Sequence, residues 1–273
     1  MTSAAIVVPS DHLQDLPVTS TSTATRLSSL LQEAIQSLQA QNYSKATRLL
    51  VSGTEILDRY DCPQVFDEEE EEDQMMSMSD PYGEMNITMI PLRDLPEDEE
   101  EDNTNTDESM LLFRQAFYME VRNGSEQWDL LSEDQHDAFG CLFLYNLGLS
   151  CHLASMKMMK KNEDSLVKMQ HQALQDYRGA GGWLHGVPGK ACQWVTLALA
   201  NNSCLIECQF EELRREGYES LETIHEQLQT LLVLMRLEER TNSKSSGFLL
   251  LQSVACNYLF FRNALSVTTA PMA

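Results

Sequence analysis

Cys204 and Cys208 stand four residues apart, with Cys192 and His185 upstream. On a helix that spacing stacks both thiols on one face, and two thiolates one turn apart supply half of a zinc site. No second pair stands at ligand spacing, and the interleaved Leu205 and Ile206 mark the face as core. We therefore expect no metal. Gly186 to Lys190 reads GVPGK. A phosphate loop of the form G-x-x-x-x-G-K-[ST] would place glycine at 184 and a hydroxyl residue at 191. Leu184 and Ala191 stand there instead, and no strand precedes them. Gly/Pro turn chemistry between helices is the favoured reading. Cys141 or Cys151 with a histidine base would make a nucleophilic pair. Cys151 and His152 are adjacent, so on a helix they point about 100° apart and cannot pair. His136, His171 and His225 fall on separate apolar-patterned segments. Helix contacts or the surface account for them better than catalysis does.

These residues sit in a chain of 273 with 19 basic and 42 acidic side chains, a net charge of −23. Between Phe66 and Ser109 there are 18 Asp or Glu against the single Arg93, a net of −17. The rest is close to balanced. Such a chain is repelled by phosphate backbones and anionic headgroups, so neither nucleic acid nor membrane is an expected partner. Seven cysteines without a regular framework and without C-x-x-C do not make a secreted disulfide scaffold. The N-terminus lacks the basic and apolar regions of a signal peptide. No stretch reads as the roughly 18 uncharged apolar residues of a spanning helix. The expected location is intracellular, cytoplasmic or nuclear, with reduced thiols.

Residues 1–23 are rich in Ser and Thr and read as a disordered tail. From Ala24 the pattern turns helical. Leu27, Leu30, Leu31, Ala34, Ile35 and Leu38 share one face, and after a polar break Tyr43, Ala46, Leu49, Leu50, Gly53, Ile56 and Leu57 share another. This predicts a first helix pair over 24–62. An acidic disordered insert is predicted over 63–109, with seven consecutive acids at Asp67 to Asp73 and six at Glu97 to Asp102. Between them Met85 to Leu92 is an apolar island that could form a short strand or docking peptide; a piece that folds back weakly or not at all is the favoured reading. Helix pairs two and three are predicted over 110–240. Within them LLFRQAFYMEV is ambiguous between helix and buried strand, and a strongly apolar helix runs from Glu133 to Met159. Residues 241–273 are expected to cap the stack.

The recurrence of helix, break and helix carries a resemblance. Tyr43 and Ala46 open the second helix of the first unit, Leu147 and Gly148 form an L-G pair in the second, and Tyr218 and Leu221 open the last helix of the third. This resembles the tetratricopeptide repeat, whose small positions let paired helices approach closely. Cys151 stands where that pattern has an aromatic, and Ser203 and Cys204 depart from L-G. The layout of Asn146 to His152, Ala198 to Asn202 and Phe260 to Ala273 is also similar to repeat-like helical proteins of diatoms, a group that implies fold and not chemistry.

The resemblance implies an all-α stack of about three antiparallel helix pairs, with a groove that binds a protein or peptide. Asn146 and Asn202 fall at matching places in successive first helices, where such asparagines line the groove, and they are the candidate partner-binding residues. Phe143, Leu149, Val195 and Glu207 beside them supply no cation for a peptide carboxylate, so capping or inter-helix hydrogen bonds are the favoured role. No catalytic residue and no cofactor are expected. An interaction module is the leading reading. An acidic regulatory protein acting through its arm on basic partners, and an enzyme with a pocket in the stack, are the alternatives.

Overall fold

A computed structural model describes residues 22–60, 84–92, 111–122, 131–158, 163–239 and 247–267. Among them are seven α-helices, two single-turn 3-10 segments and one two-stranded sheet. Residues 1–21 of the expected tail and both acidic runs lie outside the described residues, while Ser22 and Thr23, read as tail, cap and open the first helix.

Helices α1 (Thr23–Gln39) and α2 (Tyr43–Asp58) form where the periodicity placed them. Ser22 caps α1 by accepting from the Thr25 amide, and Asn42 caps α2 by accepting from Lys45. Each satisfies one amide that the first turn leaves without a carbonyl. Leu27, Leu31, Ala34, Ile35 and Leu38 of α1 face Ala46, Leu50 and Leu57 of α2 in a shared core. Helix α3 (Glu133–Met158) begins at a reciprocal cap. Ser132 Oγ accepts from the Gln135 amide at 3.1 Å, and Gln135 Oε1 accepts from the Ser132 amide at 3.2 Å. Helix α4 (Glu163–Gly182) follows, then α5 (Gly189–Glu207), α6 (Arg214–Glu239) and α7 (Gly247–Val267). GVPGK is the link into α5, with Gly189 at φ +54. Consecutive helices pack along the chain, α2 on α3, α3 on α4, α5 on α6 and α6 on α7.

Small residues set the close approaches. A Cβ on Gly53 would lie 2.1 Å from the Phe143 ring, so α2 meets α3 only because that atom is missing. Gly148 does the same for α3 and α4, where a Cβ would fall 2.7 Å from Tyr177. Helix α3 corrects one expectation. It is long and apolar enough to cross a membrane by length and composition, yet 78% of that window is buried against its neighbours. Burial on every side explains why it lacks a polar face.

The larger correction concerns the apolar island. Glu84–Pro91 is a strand, β1, paired antiparallel with β2 (Gln115–Arg122) in the register Glu84 with Arg122 through Pro91 with Gln115. The ambiguous apolar segment thus ends in a strand, and the island is its partner. A run buried on both faces shows no alternation, so neither the period of a strand nor that of a helix stands out in it. Phe113, Ala116, Phe117 and Met119 are all buried. The fold is mostly helical with this one hairpin laid against it.

Candidate functional site

The site follows from the parity of the hairpin. The Leu92 amide donates to the Arg114 carbonyl at 3.0 Å, one step beyond the Pro91–Gln115 pair. In an antiparallel ladder hydrogen-bonded pairs alternate. Even-numbered residues of both strands therefore aim their backbone groups at each other. Odd-numbered residues aim theirs outward, those of β2 toward the helices and those of β1 away from them.

From Leu111 to Phe117 the helices meet the odd positions with side chains. Asn146 Oδ1 accepts from the Phe117 amide at 3.2 Å, and its Nδ2 donates to the Phe117 carbonyl at 2.8 Å. Asn202 repeats this on Phe113, accepting from the amide at 2.8 Å and donating to the carbonyl at 3.3 Å. The Tyr145 hydroxyl donates to the Gln115 carbonyl at 2.9 Å. Asn201 and Asn257 both donate to the Leu111 carbonyl, at 2.9 and 2.8 Å. Residues 111, 113, 115 and 117 are held in turn by groups from α3, α5 and α7. A carboxamide carries one acceptor and one donor side by side, as a strand residue does. The asparagines stand in for a third strand.

All four asparagines are 0–4% exposed. A buried amide left without a partner costs about 1–3 kcal/mol, and here all four side-chain amide nitrogens donate while the oxygens of Asn146, Asn201 and Asn202 accept. Asn146 and Asn202 thus hold one segment. What they grip is mainly the chain's own backbone and not a helix cap; Asn202 Nδ2 also donates to Tyr177 Oη on α4 at 3.4 Å, an inter-helix bond of the kind the sequence favoured, and Asn146 Nδ2 to the Leu142 carbonyl of its own helix at 2.9 Å. Sequence reasoning missed Tyr145, Asn201 and Asn257. The available signal was asparagine inside an apolar helix, which is unfavourable unless its amide is paired.

Behind the clamp lies a second polar layer. Tyr177 Oη is 3.4 Å from Asn202 Nδ2 and 3.5 Å from His152 Nδ1. His152 is fully buried and its Nε2 has no partner among the described residues, and burial pushes its pKa down to about 3, so the ring is neutral. Burial raises Asp176 to about 6, against a hydrogen bond from Gln172 that lowers it. Burial likewise lifts the Cys151 thiol to about 12, with Asp176 adding to the effect, and Cys141 to about 12. A nucleophilic thiol needs the opposite shift.

The remaining sequence candidates are dispersed. Cys204 and Cys208 do stack, Sγ to Sγ 3.8 Å. Cys192 points to the Leu184 carbonyl and His185 pairs with Asp137. Among the described residues no three His, Cys, Asp or Glu converge as metal ligands. A cleft of about 320 Å³ opens between α4, α5 and α6, lined by Arg178, Glu207, Glu216, Glu219 and Ser220 among others. Glu207 is held there by Arg178 at 3.1 Å and Ser220 at 2.7 Å. No histidine or cysteine lines it. No family model, no curated protein and no solved structure matches this chain.

Proposed function

We propose that the chain is a protein-interaction module of the helical-repeat, tetratricopeptide-like type, whose groove recognises extended polypeptide through its backbone. The observation that carries this is the Asn146 and Asn202 pair of clamps, four residues apart along one extended segment. Recognition of this kind depends little on sequence, because the clamps read amides and carbonyls. In the resting chain the occupant is internal, the segment that directly follows the acidic run. Apolar pockets for Phe113 and Phe117 add selectivity for aromatic side chains at alternate clamps.

The test supplies the occupant in trans. A Phe117→Leu variant weakens the internal segment while keeping the core filled. Calorimetric titration with a synthetic peptide of residues 111–122 is expected to show saturable binding, abolished by adding Asn146→Ala. A folded Phe117→Leu variant that binds no peptide would overturn the reading.

A second reading is favoured by the charge, with a net of −17 on residues 66–109. There the arm recruits basic partners and the helices carry it. Deleting the whole insert would remove β1 as well, so the runs 67–73 and 97–102 should instead be replaced by Ser and Gln. Loss of binding to a lysine-rich histone-tail peptide, at unchanged helix content, is the expected result.

A further inference from the structure

The outer edge of the hairpin is unfinished. Met85, Ile87 and Met89 are the odd residues of β1, and the register turns their amides and carbonyls away from β2. No described residue pairs with them. The fourth odd position, Pro91, has no amide to offer, and its carbonyl accepts from Gln39 Nε2 at 3.4 Å. Among the described residues the edge therefore has one closed end and three residues without a partner. Its side chains alternate apolar Met85, Ile87 and Met89, on the face shared with Val121, Met119 and Phe117, with Asn86, Thr88 and Ile90. Natural edge strands are usually blunted by lysine, inward charge or proline. β1 contains no lysine or arginine, and proline stands only at its last residue.

The geometry points to β1 as a docking edge for an added strand, supplied by a basic extended peptide of a partner protein. Main-chain bonds along one edge give affinity, and alternate side chains give choice of partner. The basic character follows from the covalent context. Seven acids at 67–73 precede the strand and six at 97–102 follow it, with one arginine in the whole interval 66–109. An incoming strand with Lys or Arg flanks is drawn to that charge. A second copy, itself carrying −23, is repelled. This surface lies on the opposite side of the hairpin from the asparagine clamps, so it goes beyond the groove reading and can fail independently of it.

The probe is a fluorescein-labelled Lys-Val-Arg-Val-Thr-Val-Arg-Val-Lys peptide, titrated into the full chain by anisotropy at physiological salt. Its control carries N-methyl groups on two adjacent central residues. Adjacent residues face opposite edges, so both edges are blocked at unchanged charge. The expected result is at least about tenfold weaker binding of the control. Amide exchange at Met85, Ile87 and Met89 is expected to slow on adding the parent peptide. Ile87→Pro removes an outward amide without touching a ladder bond, and should weaken the parent peptide by about tenfold too. Should that variant unfold, the peptide pair on the unaltered chain decides. Equal binding of both peptides, or of neither, would overturn the proposal. So would a dimer in sedimentation that Ile87→Pro returns to monomer, since the edge would then belong to a second copy.

Discussion

The two long edges of the hairpin are finished differently. On the inner side the backbone of Phe113 and Phe117 and the Gln115 carbonyl meet Asn202, Asn146 and Tyr145, all buried, while Met119 and Val121 further along β2 meet no described side chain. Along β1 the equivalent groups of Met85, Ile87 and Met89 meet no described residue. The same backbone chemistry is thus structural on one side and available on the other. What separates them is desolvation. A buried group must be paired at every moment, whereas an edge group trades freely between water and an incoming strand.

The comparison is broken most directly at the inner edge. Asn202→Ala strands the amide of Phe113 inside the core and leaves its carbonyl only the Tyr145 hydroxyl at 3.4 Å. A loss of about 2–3 kcal/mol is expected in urea unfolding, from one unpaired amide at about 1–3 kcal/mol and a weakened carbonyl bond. A loss under about 0.5 kcal/mol would mean the clamp is not holding the segment.

Acid sharpens it next. His152 stays neutral when folded, with its pKa pushed from 6.5 to about 3. The unfolded chain takes up that proton first, so stability is full above pH 6.5 and falls as pH drops toward 3. Asp176 has the opposite sign. Its pKa is raised from 3.8 to about 6, so the folded state takes up its proton first and gains stability as pH falls from 6 to 3.8. The two oppose one another across that window. Asp176→Asn removes the gain, and the variant should lose about 2 kcal/mol more than the parent between pH 7 and 4.5, at about 1.4 kcal/mol per pKa unit. Parallel pH-stability curves for the two chains would refute the assignment.

At the outer edge the expected effect is smallest. Thr88 is exposed on β1. Thr88→Lys should change the thermal midpoint by no more than the equivalent of about 0.5 kcal/mol. A large loss there would show that β1 is bound into the fold as tightly as β2.

Much of the helical frame was legible. The faces carrying Leu27, Leu31 and Ile35, and Ala46, Leu50 and Leu57, are period-3.6 stripes, and each is buried as the stripe demands. The start of α3 at Glu133 was legible because its apolar run begins just inside a cap. The hairpin was not. Its strands are separated by 23 residues that include an acidic run, so no turn signal connects them. Asn146 and Asn202 were picked out by position, but their role depends on a backbone partner 29 and 89 residues away. Local pattern carries no information at that range. The 3.8 Å contact of Cys204 with Cys208 was legible from helix spacing alone.

The acids that flank β1 in the chain have a bearing on how the protein fails. Stacked in register, copies of an unprotected strand build fibrils at a repeat of about 4.8 Å. Here such a stack would lay seven carboxylates over seven at every layer on one side, and six over six on the other. Growth of that kind is self-limiting, so heat or crowding should drive this protein to amorphous precipitation before amyloid.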